Sequence, residues 1–379
     1  MPAYLDHNAT TRVDPRVLEA MLPYLSGPYG NASSLHRFGR AARDAVERAR
    51  VQVASLVGAQ PGEVVWTSGG TESNNLAIKG VAALHPGRVL YGATEHPAVM
   101  EAAEALGDQR TVEAVAVDGQ GLVDWPAFAR QLERGPVALV ALMRANNETG
   151  VIQDVARAAP MVRAAGARLH VDAVQAAGKM ALDFEALGAD LMSLSSHKLY
   201  GPKGIGALVR RAGIDLWPLH HGGPQEKGLR GGTENVAAIV GFGEAAELAE
   251  REWQARAGHV GVLRERLEAA LRELPGVVIF GAQVERLPNT VQFALPGYDG
   301  EALLMQLDRK GFAVSSGSAC ASGKGEPSHV LLAMGLSRET ARGAIRVSLG
   351  VASTAEEVDG FVDALRVLGS AGRGAVAGA

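Results

Sequence analysis

Six short apolar runs, set among helix-length stretches, constrain this 379-residue chain more than any other feature. They read "EVVWTS", "RVLYGA", "VALVALM", "ARLHVDA", "LMSLSS" and "GALVRR", spread between Glu63 and Arg211. Each has the length of a strand. Helical pattern lies before and between them, as in "RAARDAVERARVQVASLVG" (Arg40 to Gly58), where apolar residues recur at three- and four-residue steps. Strands alternating with helices predict an α/β fold whose mostly parallel sheet is covered on both faces. Ligands of such sheets bind beyond the carboxyl ends of the strands, and here the polar motifs sit at those ends.

The pattern changes after about Gly243. A long charged helical stretch, Glu244 to Leu274, is followed by "GVVIFG", "LPNTVQFAL", a helix near Glu301 to Gly311, and "AIRVSLG". This predicts a smaller α+β domain joined by a long helix. The segment Gly369 to Ala379 is small-residue and low in complexity, which predicts fraying. Several function classes are disfavoured. A net charge of −4 offers no basic surface for nucleic acid. No apolar run approaches the ~20 residues that span a bilayer, so no membrane partner is expected. The start, "MPAYLDHNATT", has an acid and no apolar core, unlike a signal peptide. A single cysteine, Cys320, excludes an internal disulfide and fits a reducing, cytoplasmic setting.

Chemistry is concentrated at a few places. In "SLSSHKLYGPKG", Lys198 follows an apolar strand and precedes a Gly-Pro turn, a rigid site for a Schiff base with an aldehyde cofactor. Asp172 ends the run in "LHVDAVQAAGK", with Gln175 three positions on; a carboxylate there can keep a pyridinium nitrogen protonated. "WTSGGTESNNLAI" runs from a strand end through Gly70 and Thr71 into a helix, an anion site suited to phosphate. His96 in "ATEHPAVM" is placed to stack on a ring or move a proton, and Asn147 in "RANNETG" to bond a phenol oxygen or a carboxylate. "HHGGPQEKGLRGGTEN" offers Arg230 and Thr233 on a glycine-rich loop; its adjacent His220 and His221 do not converge easily as ligands, so no metal is expected. Arg346 in "AIRVSLG" suits bidentate contact with a carboxylate. In isolation each has a plainer reading: a surface lysine, a strand-end or helix cap, a packed histidine, an asparagine turn, an edge-strand arginine. Cys320 itself lies in "SSGSACASGKGEPSHV", among small residues rather than the apolar neighbours of a structural cysteine.

Taken together, these motifs resemble one family, the pyridoxal-phosphate-dependent cysteine desulfurases of the class V aminotransferase superfamily. The resemblance runs nearly the whole length, from "YLDHNATT" and "GNASSLHRFGR" through "TSGGTESNN", "EHPAV", "NNETG", "VDAVQ", "SSHKLYGPKG" and "RGGTEN" to "SSGSACAS" and "IRVSLG". The long cysteine segment, continuing into "EPSHVLLAMG", is similar to the NifS/IscS-like group rather than the SufS-like group.

The resemblance implies fold type I of pyridoxal-phosphate-dependent transferases. A large domain over residues 12–255 would hold a seven-stranded, mostly parallel sheet, and residues 1–11 with 256–379 would form the small domain. It implies pyridoxal 5'-phosphate held by Lys198, with Asp172 on the ring nitrogen, Gln175 on the phenolic oxygen and His96 stacked on the ring. Gly70, Thr71, Ser195 and His197 would surround the phosphate, and Thr233 would reach the phosphate of the partner subunit in a homodimer. Asn147 and Arg346 would hold the carboxylate of the substrate, L-cysteine. Cys320 would take the sulfur as a persulfide, leaving alanine, and carry it to an acceptor protein, an iron–sulfur scaffold or a thiolation relay. Reaching both cofactor and acceptor requires a mobile loop, which the glycines and serines of Gly317 to Gly325 would supply. The sequence departs from the family at Ala32, at Pro224 and at Asp154, and lacks the longer ending with which some members dock a scaffold protein. Rival readings are a selenocysteine lyase or other class V enzyme, a non-enzymatic scaffold, and a Cys–His hydrolase.

Overall fold

A computed structural model of the protein describes residues 2–27, 29–295, 297–316 and 326–376. Twelve strands are described: β1 (Ala3–Tyr4), β2 (Val64–Thr67), β3 (Arg88–Gly92), β4 (Val112–Val115), β5 (Val137–Met143), β6 (Arg168–Asp172), β7 (Leu191–Ser195), β8 (Gly206–Arg210), β9 (Val278–Ile279), β10 (Thr290–Ala294), β11 (Phe312–Ala313) and β12 (Ala344–Ser348). The six apolar runs of the sequence are β2, β3, β5, β6, β7 and β8. With β4 they build one seven-stranded sheet, in the order β2-β8-β7-β6-β5-β3-β4. Every pairing is parallel except the two made by β8. All seven residues of β5 are buried, as a strand covered on both faces requires.

The helix read over Arg40 to Gly58 spans Arg37–Leu56 and packs Ala42, Val46, Ala49 and Val53 into the main core. The long helix runs Val236–Arg272. It begins before Glu244 because its first turns are apolar and buried, so they lack the charge that marked the rest. Asn235 caps it, its side chain accepting the Ala238 N–H at 3.2 Å. The N-terminal half places Ala238, Phe242 and Ala246 in the core beside the large sheet. The C-terminal half places Val260, Leu263, Leu267 and Leu271 in a second core with Phe293, Ile345 and Phe361.

That second core lies against an antiparallel sheet in the order β12-β10-β9 and a parallel pair, β1 with β11. The first residues of the chain therefore pack with the last third. A terminal helix, Ala355–Val376, continues through residues whose composition predicted a fray.

One buried ion pair fixes the glycine-rich loop that carries Arg230 and Thr233. Arg50 donates to both carboxylate oxygens of Glu226, at 2.9 and 2.8 Å, and the Trp66 N–H adds a third bond at 2.8 Å. Glu226 and Lys227 hold positive φ angles of 47° and 57°, an unfavourable region for side-chain-bearing residues, which these contacts stabilise. Glu226→Ala removes the buried, bidentate partner of the Arg50 guanidinium and leaves it only the half-exposed Glu47 carboxylate. Thermal or chemical denaturation is expected to show a loss of about 3 kcal/mol.

Candidate active site

The carboxyl ends of β5, β6 and β7 and the start of helix Gly70–Leu84 enclose a cavity of about 210 Å³. Of the residues singled out in the sequence, Gly70, Thr71, His96, Asn147, Asp172, Gln175, Ser195, His197 and Lys198 line it. Thr233 and Arg346 do not, and Cys320 lies outside the described residues.

Lys198 sits in a short turn, Ser196–Lys198, directly after β7. Its ammonium donates to the carbonyl oxygens of Asn8 at 2.6 Å and Ala9 at 2.8 Å. Asp172 is the last residue of β6. One carboxylate oxygen accepts from Asn74 Nδ2 at 2.8 Å and the other from the Val174 N–H at 2.9 Å. Asp172 thus caps a turn, not the helix that its cap reading expected, and also lines the cavity.

His96 also does two things. Its Nδ1 accepts the Ala98 N–H at 3.0 Å, capping helix Pro97–Glu104, while the ring lines the cavity. Burial, reinforced by Lys198 and opposed by Asp172, lowers its pKa. A neutral ring with Nδ1 accepting carries its proton on Nε2. Burial and then Lys198 and Lys203 bring His197 down to about 4; its Nδ1 lies 3.1 Å from Thr10 Oγ1. Next to His96, burial and the charge of Asp172 push the Glu95 carboxyl well above its usual range.

The paired asparagines divide the work. Asn146 makes the turn, its Oδ1 accepting the N–H groups of Glu148 and Thr149 at 2.9 Å each. Asn147 is left to line the cavity.

His170, on β6, is fully buried with Nε2 2.9 Å from Ser193 Oγ, and burial lowers its pKa to about 4. The unfolded chain, with an ordinary histidine near 6.5, binds a proton across that interval that the folded chain does not. Stability is therefore lost as pH falls from about 6.5 to about 4, by up to about 3 kcal/mol from this group. His170→Gln is expected to flatten the acid limb of a plot of denaturation midpoint against pH. An unchanged limb would show that His170 contributes nothing to it.

The chain matches the family model described as aminotransferase class-V over residues 3–361. It is 47% identical to a cysteine desulfurase IscS of Anaeromyxobacter dehalogenans (strain 2CP-C) over 367 residues, covering 95% of this chain and 90% of that protein. Among solved structures, a NifS-like protein superposes with a TM-score of 0.91 at 39% identity, covering 97% of this chain and 99% of the other. SspA in complex with cysteine superposes with a TM-score of 0.80 at 33% identity, covering 93% and 99%. The chain belongs to the cysteine desulfurases of the class V aminotransferase family. Its fold is therefore the type I fold of pyridoxal-phosphate-dependent enzymes, and pyridoxal phosphate is the cofactor of the family.

The residues of this class V chain fit that group. Helix Gly70–Leu84 begins after Gly69, which offers no side-chain cap, so the first N–H groups and the positive end of the helix dipole are left for an anion. Gly206 on β8 makes room for that turn: a Cβ there would lie 2.6 Å from the Gly69 Cα. Thr71, Ser195 and His197 line the same cavity as this helix start, a set suited to a phosphate. In the same cavity stand an amine, Lys198, a carboxylate, Asp172, and an imidazole, His96, groups that would suit an aldehyde, a ring nitrogen and a ring face.

Some residues of the desulfurase escaped the sequence reading. Asn8 in the "DHNATT" motif is a hub. It donates to the Asn147 carbonyl at 3.1 Å and to Thr290 Oγ1 at 2.9 Å, and its own oxygens accept from Gln175, Lys179, Lys198 and Asn289. Asn74 and Glu95 are buried beside Asp172 and His96. Spacing gave one usable signal: Lys179 follows Gln175 by four positions and bonds to it.

Arg346, on the edge strand β12, is only 2% exposed despite its position. It donates to Asp6 at 2.7 Å and to the Asn147 carbonyl at 3.0 Å. Thr233 lies with Ser68 and Arg230 in a separate pocket of about 180 Å³. His220 Nδ1 lies 3.4 Å from the Glu72 carboxylate. Asp154, a departure from the family pattern, caps helix Val155–Ala164 by accepting the Arg157 N–H at 3.2 Å.

Proposed function

We propose that the protein takes sulfur from free L-cysteine, releases L-alanine and holds the sulfur as a persulfide on Cys320 for delivery to an acceptor protein. The observation that carries this is the convergence of Lys198, Asp172 and His96 on one cavity at the strand ends. Pyridoxal phosphate, when bound, supplies an electron sink that loosens the bonds at the substrate α- and β-carbons. Lys198 would hold the cofactor, and its amine would be placed to take and return the substrate α-proton. Asp172 keeps the ring nitrogen charged, with Asn74 and the Val174 N–H fixing its carboxylate. His96, whose pKa is lowered by burial and whose Nδ1 is taken by the Ala98 N–H, would lie against the ring with Nε2 free to donate. Asn147 binds the substrate carboxylate and Arg346 backs it through the Asn147 carbonyl. The Cys320 thiolate attacks the substrate sulfur: a sulfur–sulfur bond forms, and the pair of the broken carbon–sulfur bond stays with carbon, which is protonated on the way to alanine.

The large domain is assigned to residues 12–255 and the small domain to residues 1–11 with 256–379. Support comes from the long helix, whose side chains pass from one core to the other along its length. A homodimer is favoured by two observations. Tyr29 and Leu35 are each 88% exposed, and Leu22 and Leu25, a few residues earlier in the chain, are exposed too, apolar side chains that a second copy would cover. Thr233 also lies off the cavity, as a residue serving the partner's site would. Acceptors are an iron–sulfur scaffold or a thiolation relay, in the cytoplasm, where a lone thiol stays reduced. Among the described residues no helix is long and apolar enough to cross a membrane.

Incubation with sulfur-labelled cysteine tests the reading. Alanine should accumulate, with label on Cys320 that moves on to acceptor protein. Alanine formed with no label on Cys320 would overturn the persulfide route.

A further inference from the structure

Lys179 has no part in the scheme above, yet it is built into the site. Among the described residues it makes no ion pair. Its ammonium instead donates to Asn8 Oδ1 at 2.9 Å and to Gln175 Oε1 at 2.7 Å. It approaches from a small cavity of about 30 Å³ that it shares with His7 and Lys198, whereas Gln175 lines the larger cavity. Gln175 Nε2 donates to the Asn8 carbonyl at 3.0 Å.

These contacts decide which way the amide is turned. An ammonium only donates and a carbonyl oxygen only accepts, so Oε1 must meet Lys179 and Nε2 must meet Asn8. The Gln175 oxygen is thereby engaged away from the larger cavity. The amide nitrogen keeps a second N–H beyond the one given to Asn8. Without Lys179 the Asn8 carbonyl alone would hold the amide, by its nitrogen, and Oε1 would lose its ammonium donor.

We propose that Lys179 is a positioning residue, whose ammonium locks the Gln175 amide so that an N–H donor is offered to an acceptor oxygen on the cofactor ring. This rests on the reading that Lys198 carries pyridoxal phosphate. Burial and then the charges of Lys198 and Arg346 push the Lys179 pKa well down, and the two acceptor oxygens around it favour the protonated form against them.

The test uses holoenzyme and the pH titration of the visible absorption of the lysine-linked cofactor. A donor on the ring oxygen stabilises its negative charge, so losing it lets the linkage nitrogen hold its proton more tightly. Lys179→Met is expected to raise the titration midpoint by about one pH unit, a tenfold change in proton affinity. In a Gln175→Ala background the same substitution should move it by less than about twofold, because the residue through which Lys179 acts is gone. Lys179→Arg, which keeps a donor, should return the midpoint towards wild type and guards against a folding defect in the methionine variant. Asp172, His96 and His197 face the same cavity, His7 lies beside Lys179, and Asp6, Arg346 and Lys203 lie nearby; all are kept in each variant.

An equal shift in both backgrounds would mean that Lys179 acts by its own charge, and no shift would mean that it does not act; either overturns the proposal. A wild-type protein with no cofactor trapped on Lys198 by borohydride would instead overturn the functional reading. The positioning role would then be decided in cofactor-free protein carrying isotope-labelled glutamine. A distinct Gln175 amide signal, lost in Lys179→Met, supports it, and one that persists unchanged refutes it.

Discussion

Lys198→Ala is expected to abolish the visible band of the bound cofactor and to lower cysteine turnover by roughly three orders of magnitude or more. The reason is local. Lys198 is the amine that lines the main cavity, and its two carbonyl contacts hold it at the end of β7. Alanine removes both the proposed attachment point and the proposed base for the α-proton. Lys179 cannot substitute, since its ammonium is committed to Asn8 and Gln175. Absorption spectroscopy and alanine release check the two losses separately. Turnover near the wild-type rate would refute the assignment of Lys198.

Cys320→Ala is expected to stop sulfur delivery to acceptor protein and to cut alanine formation from cysteine by roughly a hundredfold or more. Cys320 itself lies outside the described residues, but both neighbouring stretches are tied to the site. On one side Ser315 exchanges backbone hydrogen bonds with Arg346 at 3.1 and 2.7 Å. On the other, Ser328 donates to Glu148, and His329 Nε2 lies 2.8 Å from the Glu95 carbonyl. The chain has a single cysteine, so mass spectrometry has one place to find an added sulfur. Undiminished cysteine turnover in the variant would point to a lyase that needs no persulfide. Loss with cysteine but retention with selenocysteine would mark the preference of a selenocysteine lyase.

Much of this was legible because a parallel sheet puts its ligand-binding residues at strand ends. Asp172 and Lys198 follow apolar runs directly, and Gly70 and Thr71 follow β2 by a short turn. Local sequence therefore shows both the residue and its place. Asn8 and Arg346 were harder. Asn8 bonds to Ser348, 340 positions away, and Arg346 pairs with Asp6 over the same separation. No local pattern reports such pairings. The motif around Asn8 was visible as a family signature, but its physical role was not. Arg346 was legible as a carboxylate ligand from its motif, whereas its burial against Asp6 was not. Asn146 and Asn147 could not be told apart by composition, since only the turn geometry shows which amide is consumed by the backbone.

The partnership of β1 with β11, and of Asn8 with Ser348, has a consequence for biogenesis. A ribosome releases Asn8 first and Ser348 near the end, so a nascent chain carries an unfinished reaction centre throughout most of translation. The carbonyls that seat Lys198 come from that earliest stretch. Assembly is thereby deferred until nearly all of the polypeptide has emerged, and a prematurely terminated product ending before β10 would keep the large sheet yet lack the clasp that makes its lysine useful.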